Sequence, residues 1–221
     1  MQFRLRAGIF VCATLAGFTV GPNTLAAQTS GPAKQPAKSP AATPIATGAI
    51  ADGYYRNPSF GLTCKIPFGW VDRTTEMREG DSGPQNDPAK SLVLLAVFER
   101  PPEAMGSTIN SAIVIAAEKA SEYSGLKTAS DYFGPITELA TAKDFKVTNE
   151  PYDFPVGAKQ LVRGDFSKPR GSLTMVQSSL VMLEKGYVVS FTFIGGSEDE
   201  INELIGNLSF PVKKASSAVR K

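Results

Sequence analysis

Apolar and polar residues alternate strictly between Phe60 and Ile66, a pattern that predicts a β-strand with one face on a core and one in water. The residues expected to face the core share an apolar side chain: Phe60, Leu62, Cys64 and Ile66. The residues between them are small or polar, and the run Pro67-Phe68-Gly69-Trp70 follows as a turn. This stretch indicates an architecture and not a chemistry.

Further strands are predicted by the apolar runs along the rest of the chain. Residues 92–98 form a continuous apolar run typical of a central strand, and residues 109–117 predict the next one. An edge strand is predicted at 145–149, and three more at 158–166, 173–182 and 187–194. The connections between these last three are so short that only antiparallel hairpins fit, which predicts a meander.

Two helices are predicted from their N-terminal capping pattern. Thr128 followed by Asp131 begins the first, and Pro135 within it indicates either a kink or two helical pieces with the proline in the first turn of the second. Ser197 followed by Glu200 begins the second. The predicted fold class is therefore α+β, with a mostly antiparallel sheet of six to seven strands flanked by helices.

The chain divides into four segments by composition. Residues 1–27 carry a basic start, an apolar run and a small-residue end, the pattern of a secretory signal peptide cleaved after Ala26 or Ala27; retention as a membrane anchor is the alternative. Residues 28–50 are rich in Ala and Pro without an aromatic residue, which predicts a disordered linker. Residues 51–211 are predicted to form one domain, and residues 212–221 a basic disordered tail.

Charge excludes a nucleic-acid binder of the usual kind. Of the 23 basic residues, two lie in the leader, two in the linker and four in the tail, which leaves 15 in residues 51–211 against all 21 acidic residues. The domain thus carries a net charge of −6, whereas nucleic-acid binding needs clustered Lys and Arg on the folded surface. The predicted partner is a protein of the cell envelope or the secreted fraction, with no nucleic acid involved.

Cysteine and histidine usage limits the chemistry further. Cys12 leaves with the leader, so Cys64 is a single thiol on the apolar face of its strand, which predicts a buried and inert residue. The chain has no histidine, which excludes Ser-His-Asp and Cys-His catalysis and histidine-ligated metal sites.

Three remaining candidates have simpler interpretations. Ser124 and Lys127 match Ser-x-x-Lys, but the partner motifs of that chemistry are missing, so a surface turn is the better interpretation. A predicted loop at 74–90 carries acids that could collect Ca²⁺, at a spacing unlike an EF-hand: Glu76, Glu79, Asp81 and Asp87. Trp70 is expected to fill the core rather than stack on a ligand. The prediction is no catalytic residue, no cofactor and no metal.

Three local motifs together resemble the PsbP-like superfamily, named for the extrinsic protein of photosystem II and including DcrB-like bacterial envelope proteins. They are the opening strand with its Pro-x-Gly-Trp turn at 60–70, the late core strand at 186–193 and the final helix closing on Leu208-Ser209-Phe210. The resemblance implies an antiparallel sheet flanked by helices in a layered sandwich, and protein binding rather than a reaction. The metal-binding histidines of the plant photosystem protein have no counterpart.

The sequence therefore predicts an exported, non-catalytic domain, periplasmic or secreted, that acts as a protein-binding or accessory factor. The alternatives are a carrier of a small apolar ligand held between sheet and helix and, third, a hydrolase that uses carboxylates or a metal. The partner, the physiological role and the oligomeric state stay open.

Overall fold

The computed structural model describes residues 45–81 and 91–210 of the chain. It contains eleven strands within these ranges: β1 Ala49–Ala51, β2 Tyr54–Asn57, β3 Leu62–Lys65, β4 Val71–Asp72, β5 Ser91–Phe98, β6 Ala112–Lys119, β7 Lys146–Val156, β8 Lys159–Arg170, β9 Leu173–Glu184, β10 Tyr187–Gly195 and β11 Leu208–Ser209. The described helices are α1 Thr74–Asp81, α2 Phe133–Thr141 and α3 Glu198–Gly206, with short 3₁₀ turns at Ala120–Glu122 and Ala129–Tyr132.

Seven strands form one antiparallel sheet in the order β4-β5-β6-β10-β9-β8-β7. The last four strands of this order pair through tight hairpins, so the predicted meander is confirmed. The other four strands form a smaller antiparallel sheet in the order β1-β2-β3-β11. The α+β class and the layered arrangement predicted from the sequence are thus confirmed, while the second sheet was not predicted.

Each face of the large sheet carries its own hydrophobic core. One face packs against the small sheet and α3, through side chains such as Leu62, Phe191 and Ile201. The opposite face packs against α2 and the 3₁₀ turn before it, through side chains such as Tyr132, Phe133 and Val181. Because both faces are covered, strands β5, β6 and β9 are buried over most of their length; β5 and β6 read as nearly continuous apolar runs, whereas β9 also buries Gln177, Ser178 and Ser179.

Two irregularities adapt the sheet to these layers. The register of β5 shifts between Val93 and Leu95, so both Leu94 and Leu95 contribute to the core beneath the small sheet. Edge strand β7 contains Pro151 and Pro155 and two further register shifts, which leave its outer edge a poor template for another strand.

The capping patterns behave largely as predicted. Thr128 and Asp131 form a reciprocal capping box over the 3₁₀ turn, and α2 follows with Pro135 in its first turn, so the two-piece interpretation is confirmed. Ser197 caps α3 by accepting a hydrogen bond from the Glu200 amide. The Glu200 carboxylate accepts from the Gly196 amide at 2.8 Å, one residue before the cap.

Two expectations differ from the structure. Residues 74–81, expected as part of a loop, form helix α1, because Arg78 donates hydrogen bonds to the carbonyls of Val93 (2.7 Å) and Leu94 (3.1 Å) and ties the helix to β5. Residues 45–50, assigned to the linker, are part of the fold: the Ala46 amide donates to Ser59 Oγ at 2.9 Å and β1 pairs with β2. The predicted leader at 1–27, residues 28–44 of the predicted linker at 28–50, the predicted tail at 212–221 and Asp87 lie outside the described residues.

The sandwich has two ends, which we name by the segments they carry. The terminal end carries Ile45, Phe210 and the β2–β3, β7–β8 and β9–β10 turns; Lys185 Nζ donates to the Ser59 carbonyl, and the Gly157 backbone lies against Phe210. The loop end carries the β1–β2 and β8–β9 turns, the Pro67–Trp70 turn and residues 99–111. The chain therefore enters and leaves the domain at the same end, opposite the loop end.

Candidate functional site

A rigid turn at the loop end holds Phe68 in solvent. The Trp70 amide donates to the Pro67 carbonyl at 3.3 Å, and Gly69 between them has a φ of 83°, a conformation that other residues rarely adopt. Trp70 turns inward and packs against the core beneath the small sheet, whereas Phe68 is fully exposed. The turn therefore places the Trp70 side chain against the core and the Phe68 side chain on the surface.

A second loop presents Met105 in the same way. Arg100 and Asn110 join the two sides of this loop: the Arg100 amide donates to Asn110 Oδ1 (3.1 Å), and Asn110 Nδ2 donates to the Arg100 carbonyl (2.9 Å). The Arg100 guanidinium donates to the Thr108 carbonyl at 2.6 Å and packs against the Gly106 backbone. Met105, between these anchors, is fully exposed.

The exposed apolar residues concentrate at this end of the molecule. Five large apolar side chains are exposed among the described residues: Ile50, Phe68, Met105, Tyr152 and Leu173. Four of them lie at the loop end or line its cavities, and only Tyr152 lies elsewhere, on edge strand β7. Scattered apolar residues are normal on protein surfaces, but several at one end are typical of an interaction site.

A cavity of about 690 Å³ opens beside Phe68, on the side of the small sheet and α3. Its apolar lining includes Tyr54, Trp70 and Leu204. Its charged lining consists of four carboxylates and one lysine: Asp52, Asp72, Glu200, Glu203 and Lys65. The cavity is therefore aromatic in its walls and acidic in its charge.

A second cavity, of about 570 Å³, opens beside Met105 on the opposite face of the large sheet. Its apolar lining includes Phe98 and Met175. Its charged lining is mainly basic, with three cations against two carboxylates: Arg100, Lys168, Arg170, Glu103 and Asp144. The two cavities thus differ in the sign of their charge although both lie at the loop end.

The loop end is held together by polar contacts between its segments. Ser111 Oγ, at the start of β6, donates to the Glu200 carboxylate of α3. Arg73 donates to Glu103 at 2.7 Å and to Glu76 at 3.0 Å, which joins the start of α1 to the Met105 loop. Hydrogen bonds from its own backbone amide and from Arg73 hold the pKa of Glu76 below its usual value.

One buried polar cluster lies on the face of α3. Arg163 Nε donates to Asp165 Oδ1 at 2.8 Å, and its other nitrogens donate to Asn202 of α3 and Ser178 of β9. Asn149 donates to the second oxygen of Asp165 at 3.0 Å. Every member has partners within the fold, so the cluster fastens α3 and β7 to the sheet and is a structural feature.

A second buried polar cluster lies on the opposite face. The Glu118 carboxylate accepts from Tyr123 Oη and from Tyr132 Oη, the latter at 2.7 Å. Burial is the main cause that raises the pKa of both tyrosines, and the neighbouring Glu118 carboxylate is the second. The two rings meet edge to face at 5.0 Å between centroids, so this cluster fastens the 3₁₀ turns to β6.

The candidate residues from the sequence that the structure describes do not form one site. Cys64 is fully buried, and burial raises its pKa to about 12, as expected of an inert thiol. Ser124 lies in the turn after β6, and the Lys127 amide donates to Asp131, so neither belongs to a helix. Glu76 pairs with Arg73, and the described residues contain no group of three side chains able to hold a metal ion.

Sequence reasoning found one part of the loop end and missed another. The Pro67–Trp70 turn was recognised, and Trp70 packs against the core as predicted while also lining the first cavity. Met105 was missed. The only signal for it was a methionine within a Pro- and Gly-rich loop, where a large apolar residue has no core to enter.

No protein-family model matches the sequence, and no curated protein matches it. Solved structures with similar folds include PsbP (CyanoP) of Synechocystis sp. PCC 6803, at 12% identity over 80% of this chain and 100% of that one, with a TM-score of 0.45. They also include LpqN, involved in cell envelope biogenesis of Mycobacterium tuberculosis, at 13% identity over 68% of this chain and 83% of that one, with a TM-score of 0.37.

The Ran-binding protein Mog1p of Saccharomyces cerevisiae is another such structure, at 13% identity over 74% of this chain and 86% of that one, with a TM-score of 0.38. A PsbP, the protein for which the predicted superfamily is named, is thus among the solved structures similar to this chain. At these identities the similarity concerns the fold alone. Among the described residues, no helix is long and apolar enough to cross a membrane.

Proposed function

We propose that this chain is an exported, non-catalytic accessory domain that binds a protein of the cell envelope or the secreted fraction through its loop end. The observation that carries the proposal is the placement of Ile50, Phe68, Met105 and Leu173, four of the five exposed large apolar side chains of the described residues. Large apolar residues surrounded by polar ones are the usual anchors of protein interfaces.

The construction of the two loops supports this proposal. Hydrogen bonds hold the backbone of the loops that carry Phe68 and Met105, so a partner would not have to order these loops on binding. A backbone that is already ordered loses little conformational entropy on association, which favours affinity. An exposed side chain without a function would gain nothing from such support.

The position of the first and last described residues supports the proposal as well. Ile45 and Phe210 both lie at the terminal end, so a linker at residues 28–44 would hold the loop end away from any attachment point. Export itself rests on the leader at residues 1–27. The mass of the chain recovered from the envelope or the medium tests it: a chain that begins at Ala27 or Gln28 supports export, and a full-length cytoplasmic chain contradicts it.

Site-specific photo-crosslinking in the native host tests the binding role. A benzoylphenylalanine is placed at Phe68, at Met105 or, as the control at the terminal end, at Ala158. We expect one and the same partner adduct from positions 68 and 105 and none from 158. The position-105 adduct should disappear when Phe68→Ser is added. Adducts of equal yield from position 158, or none from 68 and 105, would contradict the proposal.

A carrier of a small apolar ligand stays a second prediction. Native mass spectrometry of the purified protein tests it, because a bound ligand adds a fixed mass and an empty protein does not.

A further inference from the structure

Three aromatic side chains from three positions of the chain line the cavity beside Phe68: Tyr54, Phe68 and Trp70. Tyr54 and Trp70 are half-buried, so packing fixes their rings. The faces of such rings attract cations. The Arg56 guanidinium already lies over the Tyr54 ring, 5.0 Å from its centroid, so a ligand cation would have to meet the other face of this ring.

The carboxylates around the same cavity come from three separate elements. Asp52 lies on the β1–β2 turn, Asp72 on β4, and Glu200 and Glu203 on α3. Glu200 is engaged by Ser111 and Gly196, and Asp72 accepts from the Thr74 amide at 2.8 Å. Asp52 and Glu203 are exposed at the rim and are the carboxylates best placed to meet a ligand.

We infer that this cavity binds a lysine or arginine side chain, carried by an extended segment of the partner protein. The inference rests on the proposed function, because the segment belongs to the protein that docks on the loop end. Aromatic faces and rim carboxylates both favour a cation, and Ile50 and Leu204 offer apolar contact to the methylene groups of a long basic side chain.

Other occupants fit the cavity less well. The described residues provide no group of three side chains able to hold a metal ion, which disfavours a bare divalent cation. The four carboxylates against one lysine repel an anionic lipid surface. A purely apolar ligand would gain nothing from Asp52 and Glu203, which would stay in contact with water.

Trp70 provides the readout, because it is the only tryptophan of the chain and lines the cavity. The full chain is titrated with the peptide acetyl-Ala-Val-Lys-Val-Ala-amide and with matched peptides that carry arginine, norleucine or glutamate instead of the lysine. We expect saturable fluorescence changes with lysine and arginine, at least about tenfold weaker binding of norleucine, and the weakest binding of glutamate. Added salt should weaken the lysine complex.

Equal affinity for the lysine and norleucine peptides would overturn the inference, and so would the absence of any saturable response. Neither result touches the crosslinks from positions 68 and 105, so the proposed function can stand when this inference fails. If the lysine peptide binds but positions 68 and 105 give no crosslink, the proposed binding of a partner at the loop end is contradicted instead.

Variants of exposed residues separate the cavity from the rest of the surface. Asp52→Asn combined with Glu203→Gln should weaken binding of the lysine peptide about tenfold, because both rim charges are lost. Lys65→Gln should strengthen binding of the lysine peptide, since the Lys65 ammonium competes with the ligand cation. Glu138→Gln on α2 and Glu150→Gln on β7 are the controls and should leave the affinity unchanged. An unchanged affinity in the double variant would overturn the inference.

The basic residues of the tail are the remaining competitor for the cavity: Lys213, Lys214, Arg220 and Lys221. The full chain with all four replaced by Gln should bind the lysine peptide as the unchanged chain does. A gain of about tenfold or more would show that the tail occupies the cavity, and would overturn the assignment to a partner.

Discussion

The two ends of the sandwich use large apolar side chains in opposite ways. At the terminal end, Phe60 is buried and meets Tyr187 edge to face at 6.1 Å between centroids, and Phe210 meets Phe191 at 6.2 Å. At the loop end, Phe68 and Met105 stand in solvent on turns that hydrogen bonds hold in place. Large apolar side chains therefore stabilise the fold at one end and stay exposed in the folded state at the other.

Because of this difference, residues at the terminal end are expected to determine stability and residues at the loop end to determine binding. A side chain already buried contributes the free energy of its transfer from water to the folded state, and nothing remains for a partner. An exposed apolar side chain contributes little to folding and can contribute that free energy on association. Substitutions at the terminal end should thus reduce the free energy of unfolding, and substitutions at the loop end should reduce affinity.

The largest expected effect is that of Phe60→Ala at the terminal end. Phe60 is 2% exposed, and its removal leaves a cavity in the core, so the free energy of unfolding should fall by about 3–5 kcal/mol. Urea unfolding followed by circular dichroism measures it. A loss below about 1 kcal/mol would mean that this end is not packed as described.

Asn57→Ala is expected to cost about 2–3 kcal/mol. Asn57 is 1% exposed; its Nδ2 donates to the Ala46 carbonyl at 2.9 Å, and its Oδ1 accepts from the amides of Ser59 and Phe60. Asn110→Ala, the matched substitution at the loop end, should cost only about 1 kcal/mol, because Asn110 is half-buried and water can replace its partners. Equal losses would remove the contrast between the ends.

Alkaline pH should weaken the core that joins the two ends. Burial raises the pKa of the Cys64 thiol from 9.0 to about 12, so the folded state disfavours the thiolate. The stability associated with the neutral thiol is complete below pH 9 and is lost as the pH rises toward 12. At pH 10.5 the loss should be about 2 kcal/mol.

Cys64→Ala is the control for this pH dependence. Its free energy of unfolding should be lower at pH 7 but should fall less between pH 8.5 and 10.5. Burial also raises the pKa of Tyr55 to about 12, so some loss remains in the variant. An identical pH dependence in both chains would exclude the thiol as the cause.

The smallest effect on stability is expected at the loop end itself. Phe68→Ala and Met105→Ala should each change the free energy of unfolding by no more than about 0.5 kcal/mol, because both side chains are fully exposed. Urea unfolding beside the Phe60→Ala variant provides the comparison. A loss above about 1.5 kcal/mol would show that these residues support the fold.

The large sheet could be predicted because its strands are defined by local patterns. Runs such as residues 92–98 are apolar throughout, and the short hairpins of the meander leave no alternative to antiparallel pairing. Of the small sheet, the alternation at 60–66 predicts β3, but the sheet itself could not be predicted, since β1 is exposed at every position and the burial of Asn57 depends on hydrogen bonds with distant residues. Helix α1 lacks an apolar stripe and is held by Arg78 contacts with β5, which are tertiary.

The candidate site was harder to predict than the fold. The turn at Pro67–Trp70 and the core position of Trp70 are visible in the sequence, but the full exposure of Phe68 depends on the φ of Gly69 and the position of the small sheet. Asp52 and Glu203 are 151 positions apart and line the same cavity only because the β1–β2 turn and α3 lie beside it. Convergence of this kind depends on the tertiary structure.

The most direct test of the loop end as the binding surface uses the partner recovered in the position-68 adduct. Its affinity is measured for the full chain, for Phe68→Ser with Met105→Ser, and for Ala158→Ser with Gln160→Ser at the terminal end. We predict a loss of at least about tenfold for the loop-end variant and an unchanged affinity for the terminal-end variant. Equal affinities of all three chains would contradict the account.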